Sequence, residues 1–199
     1  MVAQKHTSLI GPTHFYVLGL EEIIGPEELE KLLSYIPELK NIKGEITSQH
    51  VKPVRQKMTE VYGKTGARGI AMCSGRAAFK HLLNLQGNQL GFESNSFRFL
   101  PTRLKLRKGL SLLAEWMENT HHDEIQIENS ESQWSFKATH CSECAELMST
   151  ESICDFTAGL LQEFTAWAGG GKFHRIVETS CRANGDECCT FMIDKNPID

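Results

Sequence analysis

Residues 178–191 read ETSCRANGDECCTF, three cysteines, a run of carboxylates and one glycine packed around a turn near the end of the chain. The flanking segments KFHRIVETS (172–180) and ECCTFMID (187–194) read as two strands joined at RANGD (182–186), with the turn centred on Asn184-Gly185-Asp186, where glycine tolerates positive φ. A three-residue loop sets Cys181 and Cys189 opposite each other. Cross-strand Cβ atoms about 4.5–5.5 Å apart can aim two thiolates at one ion, given Zn–S bonds of about 2.3 Å. Glu178 has the opposite strand parity from Cys181. Both reach one ion only if a bulge or a strand end intervenes.

Moving toward the N-terminus, residues 151–168 have helical period, with Ile153, Phe156, Leu160, Phe164 and Trp167 on one stripe and the glycines at 169–171 ending the helix. Before it, Ile125 and Ile127 alternate with polar residues. After NSES (129–132), Trp134, Phe136 and Ala138 do the same, which predicts a hairpin with one wet face. From Thr102 to Glu118 an amphipathic helix sets Leu106, Leu110, Leu113 and Met117 against the basic cluster Arg98, Arg103, Lys105, Arg107 and Lys108, read as a solvated face. PEELEKLLSYI (26–36) carries a helix-start proline, acidic residues in its first turn and Leu29, Leu32, Leu33 and Ile36 on one side. A further helix is expected after Pro53, with Val54, Met58 and Val61 inward, stopping at Gly63. GKTGARGIAMCSGR (63–76) is read as a turn and a buried segment leading into a helix from about Gly75. It is not a phosphate loop, which needs glycine where this chain has Met58. The order of helices followed by strand, strand, helix, strand, strand predicts an α+β fold, with N-terminal helices packed on a mainly antiparallel sheet. Residues 1–50 are read as an N-terminal helical segment suited to dimerisation, and 51–199 as a ligand-binding domain.

The 199 residues are 40% hydrophobic, enough to bury a real core, and the formal net charge of −4 gives no reason to bind nucleic acid. No apolar run reaches the length of a membrane span, and MVAQKHTSLIGPTH lacks a signal peptide's apolar stretch, so a cytoplasmic protein is expected. Seven cysteines, at 73, 141, 144, 154, 181, 188 and 189, are then odd in number without an export signal, which argues against a disulfide framework and for metal or thiol chemistry.

The further ligands of a site at Cys181 and Cys189 have two sources by spacing. One is Cys154, in the first turn of a helix whose dipole favours the thiolate. The other is CSEC (141–144), a C-x-x-C motif that serves redox chemistry or a metal knuckle. No dinucleotide loop, flavin signature or nucleophile with an evident base is present, which favours binding over catalysis. His81 is a candidate polar handle or axial ligand in a pocket, with Trp116, Trp134 and Phe136 as candidate walls. His140 and His174 are read as outside the metal's direct ligands.

Cys154-x4-Gly159, GGGKF (169–173), and then Glu178, Cys181, Gly185, Cys189 and Phe191 in the pattern E-x-x-C-x3-G-x3-C-x-F resemble the 4-vinyl reductase domain family. The likeness covers about residues 140–195, and LPTRLKLRKGL (100–110) is similar to its photosynthetic-lineage members. It implies an α+β fold related to the haem nitric-oxide-binding domain, usually homodimeric, with a hydrophobic pocket between helices and sheet. It also implies a structural zinc on Cys154, Glu178, Cys181 and Cys189; Cys141, Cys144 and Cys188 fall outside that pattern. The function expected from the resemblance is binding of a small hydrophobic ligand, a tetrapyrrole such as a chlorophyll precursor, bilin or haem, in pigment metabolism or photosystem assembly, with docking to a membrane-protein assembly. The alternatives are a reductase of a tetrapyrrole vinyl group and a sensor of a small aromatic or lipid-like ligand.

Overall fold

A computed structural model describes residues 10–36, 48–121 and 124–198 of the chain. Residues 1–9, which carry most of the stretch read for a leader, and part of the 1–50 segment lie outside the described residues. Helices α1 (Pro12–Ile24) and α2 (Pro26–Ser34) meet at Gly25, and a 3-10 turn at Ser48–His50 opens α3 (Val51–Gln86). The short α4 (Asn95–Arg98) and long α5 (Thr102–His121) follow, then β1 (Ile125–Asn129), β2 (Gln133–Ala138), α6 (Asp155–Ala168), β3 (Phe173–Ser180) and β4 (Cys189–Ile198). The four strands form one sheet in the order β1-β2-β4-β3, antiparallel at every pairing. The fold is α+β, as the order of elements predicts.

The sheet turns one face inward. Phe136 of β2 stands opposite Phe191 of β4, and Trp134 opposite Ile193; all four are buried. On the helical side Leu106, Leu110, Leu113 and Met117 of α5 are buried, while Arg98, Arg103, Arg107 and Lys108 face solvent. Phe15, Tyr16 and Leu20 of α1 join the same apolar cluster as the sheet, so the N-terminal helix shares the core of the rest.

One expectation is corrected by packing. Residues 64–86 are helical throughout, and only Gly63, at φ 71 and ψ 165, breaks α3. Val54 and Met58 are buried, whereas Val61, two residues before that break, is exposed. The glycines beyond it sit inside the helix because neighbouring helices come too close for a side chain. A Cβ on Gly75 would lie 1.9 Å from the carbonyl oxygen of Phe156 in α6, and one on Gly159 of α6 would lie 2.0 Å from the carbonyl oxygen of Met72 in α3. Backbone therefore touches backbone where α3 crosses α6. Gly75→Ala is expected to force the helices apart at a cost of about 1–3 kcal/mol, read as a melting temperature lower by roughly 2–12 °C. Gly69→Ala, on the same helix with nothing within 4 Å, should instead raise stability by up to about 1 kcal/mol. Equal melting temperatures for the two variants would refute this account of the crossing.

Candidate metal centre

The terminal hairpin places its groups by a shift in register. Glu178 pairs with Phe191, but Ser180 pairs with Thr190, so a bulge lies between Glu178 and Ser180. Phe191 and Cys189 share the inward face of β4 and are buried, and the one-residue shift brings Glu178 and Cys181 to that same face. The connection is longer than the three residues expected. After Cys181 the chain makes a 3-10 turn at Arg182–Asn184, Gly185 takes φ 92, and Asp186 Oδ2 accepts the Cys181 N–H at 2.8 Å.

The third contributor is the start of α6. Cys154 occupies its N-cap, with its N–H donated to Glu178 Oε2 at 2.8 Å. Its Sγ lies 3.8 Å from Cys181 Sγ and 3.7 Å from Cys189 Sγ. CSEC is drawn into the same place. Cys141 Sγ is 3.5 Å from Cys154 Sγ, and Cys144 Sγ is 3.4 Å from Cys189 Sγ. Two sets of four donors result, Cys141, Cys144, Cys154 and Cys189, and Cys154, Glu178, Cys181 and Cys189; within each set all ligand atoms lie within 4.8 Å of one another. All five cysteines are buried and none is disulfide-bonded. Cys188 points away, toward the Thr190 hydroxyl at 3.4 Å, and Cys73 is exposed on α3.

The motif's own glutamate holds CSEC in place. Glu143 is buried and accepts from Arg55 Nη1 of α3 at 2.6 Å, from the N–H groups of Phe156 and Thr157 at 2.8 and 3.0 Å, and from Thr157 Oγ1 at 2.8 Å. It thus serves the free N–H groups at the N-terminus of α6. Arg55 Nη2 also donates to Ile153 O at 2.5 Å, beside Cys154. Neither residue was foreseen. Their contact joins positions 88 apart in the chain, and nothing in the local sequence marks it.

The donor set fits a thiophilic cation. Thiols this close share protons unequally: hydrogen bonding pushes Cys141 down, first through Cys144, and pushes Cys154 and Cys189 up, first through Cys141. Cys144 is opposed by Cys141 but drawn to about 4 by Cys154, Cys181 and Cys189; Cys181 is opposed by Cys144 and drawn to about 6 by Cys154 and Cys189. Burial pushes the Glu178 carboxyl up to about 9, and its Oε1 is buried with no hydrogen-bond partner. A buried carboxylate oxygen without a donor is costly unless it meets a cation.

A sequence and a fold comparison bear on this arrangement. Residues 134–195 match the 4-vinyl reductase domain. The match runs from β2 to β4 and includes all five clustered cysteines together with Glu143 and Glu178. Among solved structures, an H-NOX protein from S. oneidensis in the Fe(II)NO ligation state aligns at a TM-score of 0.63 and 13% identity, over 92% of this chain and 99% of that one. An oxygen-binding H-NOX domain related to soluble guanylate cyclases gives 0.58 and 14%, over 93% and 94%. A structure from work on haem distortion in the H-NOX family gives 0.59 and 13%, over 94% of each chain. At such identities the likeness is one of fold: the chain is built as H-NOX domains are, with a 4-vinyl reductase domain match in its C-terminal third. No curated protein sequence matches it.

The expected ligand residues are dispersed. Phe136 lines a cavity of about 30 Å³ beneath the sheet, together with Tyr16 of α1, Val51 of α3, Leu113 of α5 and Leu160 of α6, with Glu143 and Thr157 as polar groups. Trp116 is buried and donates its indole N–H to Ile10 O at 2.9 Å. Trp134 is buried beneath the Lys195 ammonium, 5.2 Å from the ring centre. His81 does not line the cavity; its Nε2 lies 2.8 Å from Glu22 Oε2 of α1. His174 is buried against Asp194 O at 2.8 Å, away from the sulfurs. Among the described residues no helix is long and apolar enough to cross a membrane.

Proposed function

We propose that this protein binds a small hydrophobic ligand, a tetrapyrrole, in the cavity under Phe136, and that zinc on Cys154, Glu178, Cys181 and Cys189 holds the C-terminal half in shape. The observation that carries the ligand reading is an apolar cavity with few polar groups in a fold shared with H-NOX structures, one of them from work on haem distortion. Zinc is supported by the thiolate-rich donor set and by the unpartnered Glu178 oxygen. The ion supplies no catalysis in a site whose four positions are filled by protein; Cys154 ties α6 to the hairpin, and Glu178 and Cys181 lock the bulge. A role in pigment handling, as a cytoplasmic homodimer docking on a membrane-protein assembly, belongs to the same reading. So does the preference for binding over reduction of a vinyl group.

At about 30 Å³ the cavity is far below the roughly 300–1,000 Å³ of formed ligand sites, so a tetrapyrrole requires α1 to move off α5 and α6. That volume favours, as a second reading, a small aromatic ligand. Titration of the metal-loaded protein with hemin, biliverdin and protochlorophyllide should give a saturable absorbance change at one per chain. Val51→Phe, which fills the cavity, should weaken it at least tenfold. Unchanged affinity in that variant would move the ligand elsewhere. No spectral change with any of the three, while phenol raises the melting temperature, would transfer the assignment to the second reading.

A further inference from the structure

The six donors are more than one tetrahedral ion can use. An ion on Cys154, Glu178, Cys181 and Cys189 leaves Cys141 and Cys144 idle, although their sulfurs stand 3.5 and 3.4 Å from Cys154 and Cys189. An ion on the four cysteines instead leaves Cys181 idle and the buried Glu178 Oε1 without a partner. In a regular tetrahedron with Zn–S bonds of about 2.3 Å the sulfurs lie about 3.8 Å apart. The Cys154–Cys181 and Cys154–Cys189 separations, 3.8 and 3.7 Å, match that edge, and those of Cys141 and Cys144 fall just inside it.

The two sets share one edge, Cys154–Cys189. We infer that the centre is binuclear, two zinc ions bridged by the thiolates of Cys154 and Cys189, one completed by Cys141 and Cys144 and the other by Cys181 and Glu178. A bridging thiolate must face both ions. Cys154 and Cys189 are the two sulfurs with measured neighbours on both sides, Cys154 between Cys141 and Cys181, and Cys189 in contact with Cys144 and Cys154. Charge points the same way. Five thiolates and a carboxylate carry six negative charges; one divalent ion offsets two of them, whereas two offset four in a site buried from water. The Arg182 N–H on Cys189 Sγ at 3.4 Å and the guanidinium of Arg55, held on Ile153 O beside Cys154, ease the remainder.

This inference rests on the zinc reading above and adds the second ion, and native mass spectrometry separates the two. Protein produced with added zinc should carry two zinc ions per chain, a measurement that needs no variant. Cys141→Ser with Cys144→Ser should retain one ion, and Glu178→Gln with Cys181→Ser the other, whereas Cys188→Ser should keep two. Cobalt loading adds an independent signature: two Co(II) ions joined by bridging thiolates should give a lower magnetic moment per ion at full loading than at half loading. One zinc per chain, unchanged when Cys141 and Cys144 are replaced, would overturn the second ion and leave the first reading standing. No bound metal would overturn both. Iron with acid-labile sulfide would replace both ions by a cluster.

Discussion

Cys189→Ser is expected to yield a chain that carries no metal and does not unfold cooperatively at 25 °C. Cys189 belongs to both sets of donors and is wholly buried, so no neighbouring group can take its place. Apparent zinc-binding free energies in small structural sites are about 10–16 kcal/mol at neutral pH, against total domain stabilities of about 5–15 kcal/mol. The adjacent Cys188→Ser is the control. Its sulfur faces Thr190 outside the cluster, and its stability should stay within about 0.5 kcal/mol of the parent. Thermal melts by circular dichroism with metal content on the same samples decide it, and a Cys189→Ser protein melting with the parent would remove the metal from the stability of the fold.

Glu143→Ala should be the most damaging substitution outside the ligands. It removes the carboxylate facing Arg55, whose side chain is only 12% exposed, and strips three donors at the start of α6 of their acceptor. Breaking one side of a buried ion pair costs about 3–5 kcal/mol, a fall in melting temperature of roughly 6–20 °C. Glu143→Gln keeps an acceptor and should recover part of the loss at the helix start while leaving Arg55 without its counter-charge. Denaturant midpoints of the three proteins test the order parent, glutamine, alanine. Glutamine and alanine variants of equal stability would show that the capping bonds contribute nothing.

Much of this centre is legible in the sequence because hairpin arithmetic is local. The parity conflict between Glu178 and Cys181 calls for a bulge, and the bulge lies between Glu178 and Ser180. The α5 stripe and the inward residues of β2 follow from their periods in the same way. What is hidden depends on contacts between distant segments. Nothing near CSEC states that its glutamate will cap a helix beginning at Asp155, or that its cysteines will reach Cys154 and Cys189. The helical glycines of α3 mislead for a related reason: glycine reads as a turn signal locally, whereas Gly75 is there to let α6 approach.

The bulge between Glu178 and Ser180 has a kinetic consequence as well. The donors come from three stretches of chain, 141–144, 154 and 178–189, and they converge only once β3 and β4 have paired in the shifted register with α6 seated beside them. An ion can capture all of them only in a chain that is already nearly native. Bonds made after the folding barrier leave the folding rate almost untouched and lower the unfolding rate, so the metal acts as a late clasp. A strand paired in the unshifted register cannot be clasped, and it is left free to unpair and try again.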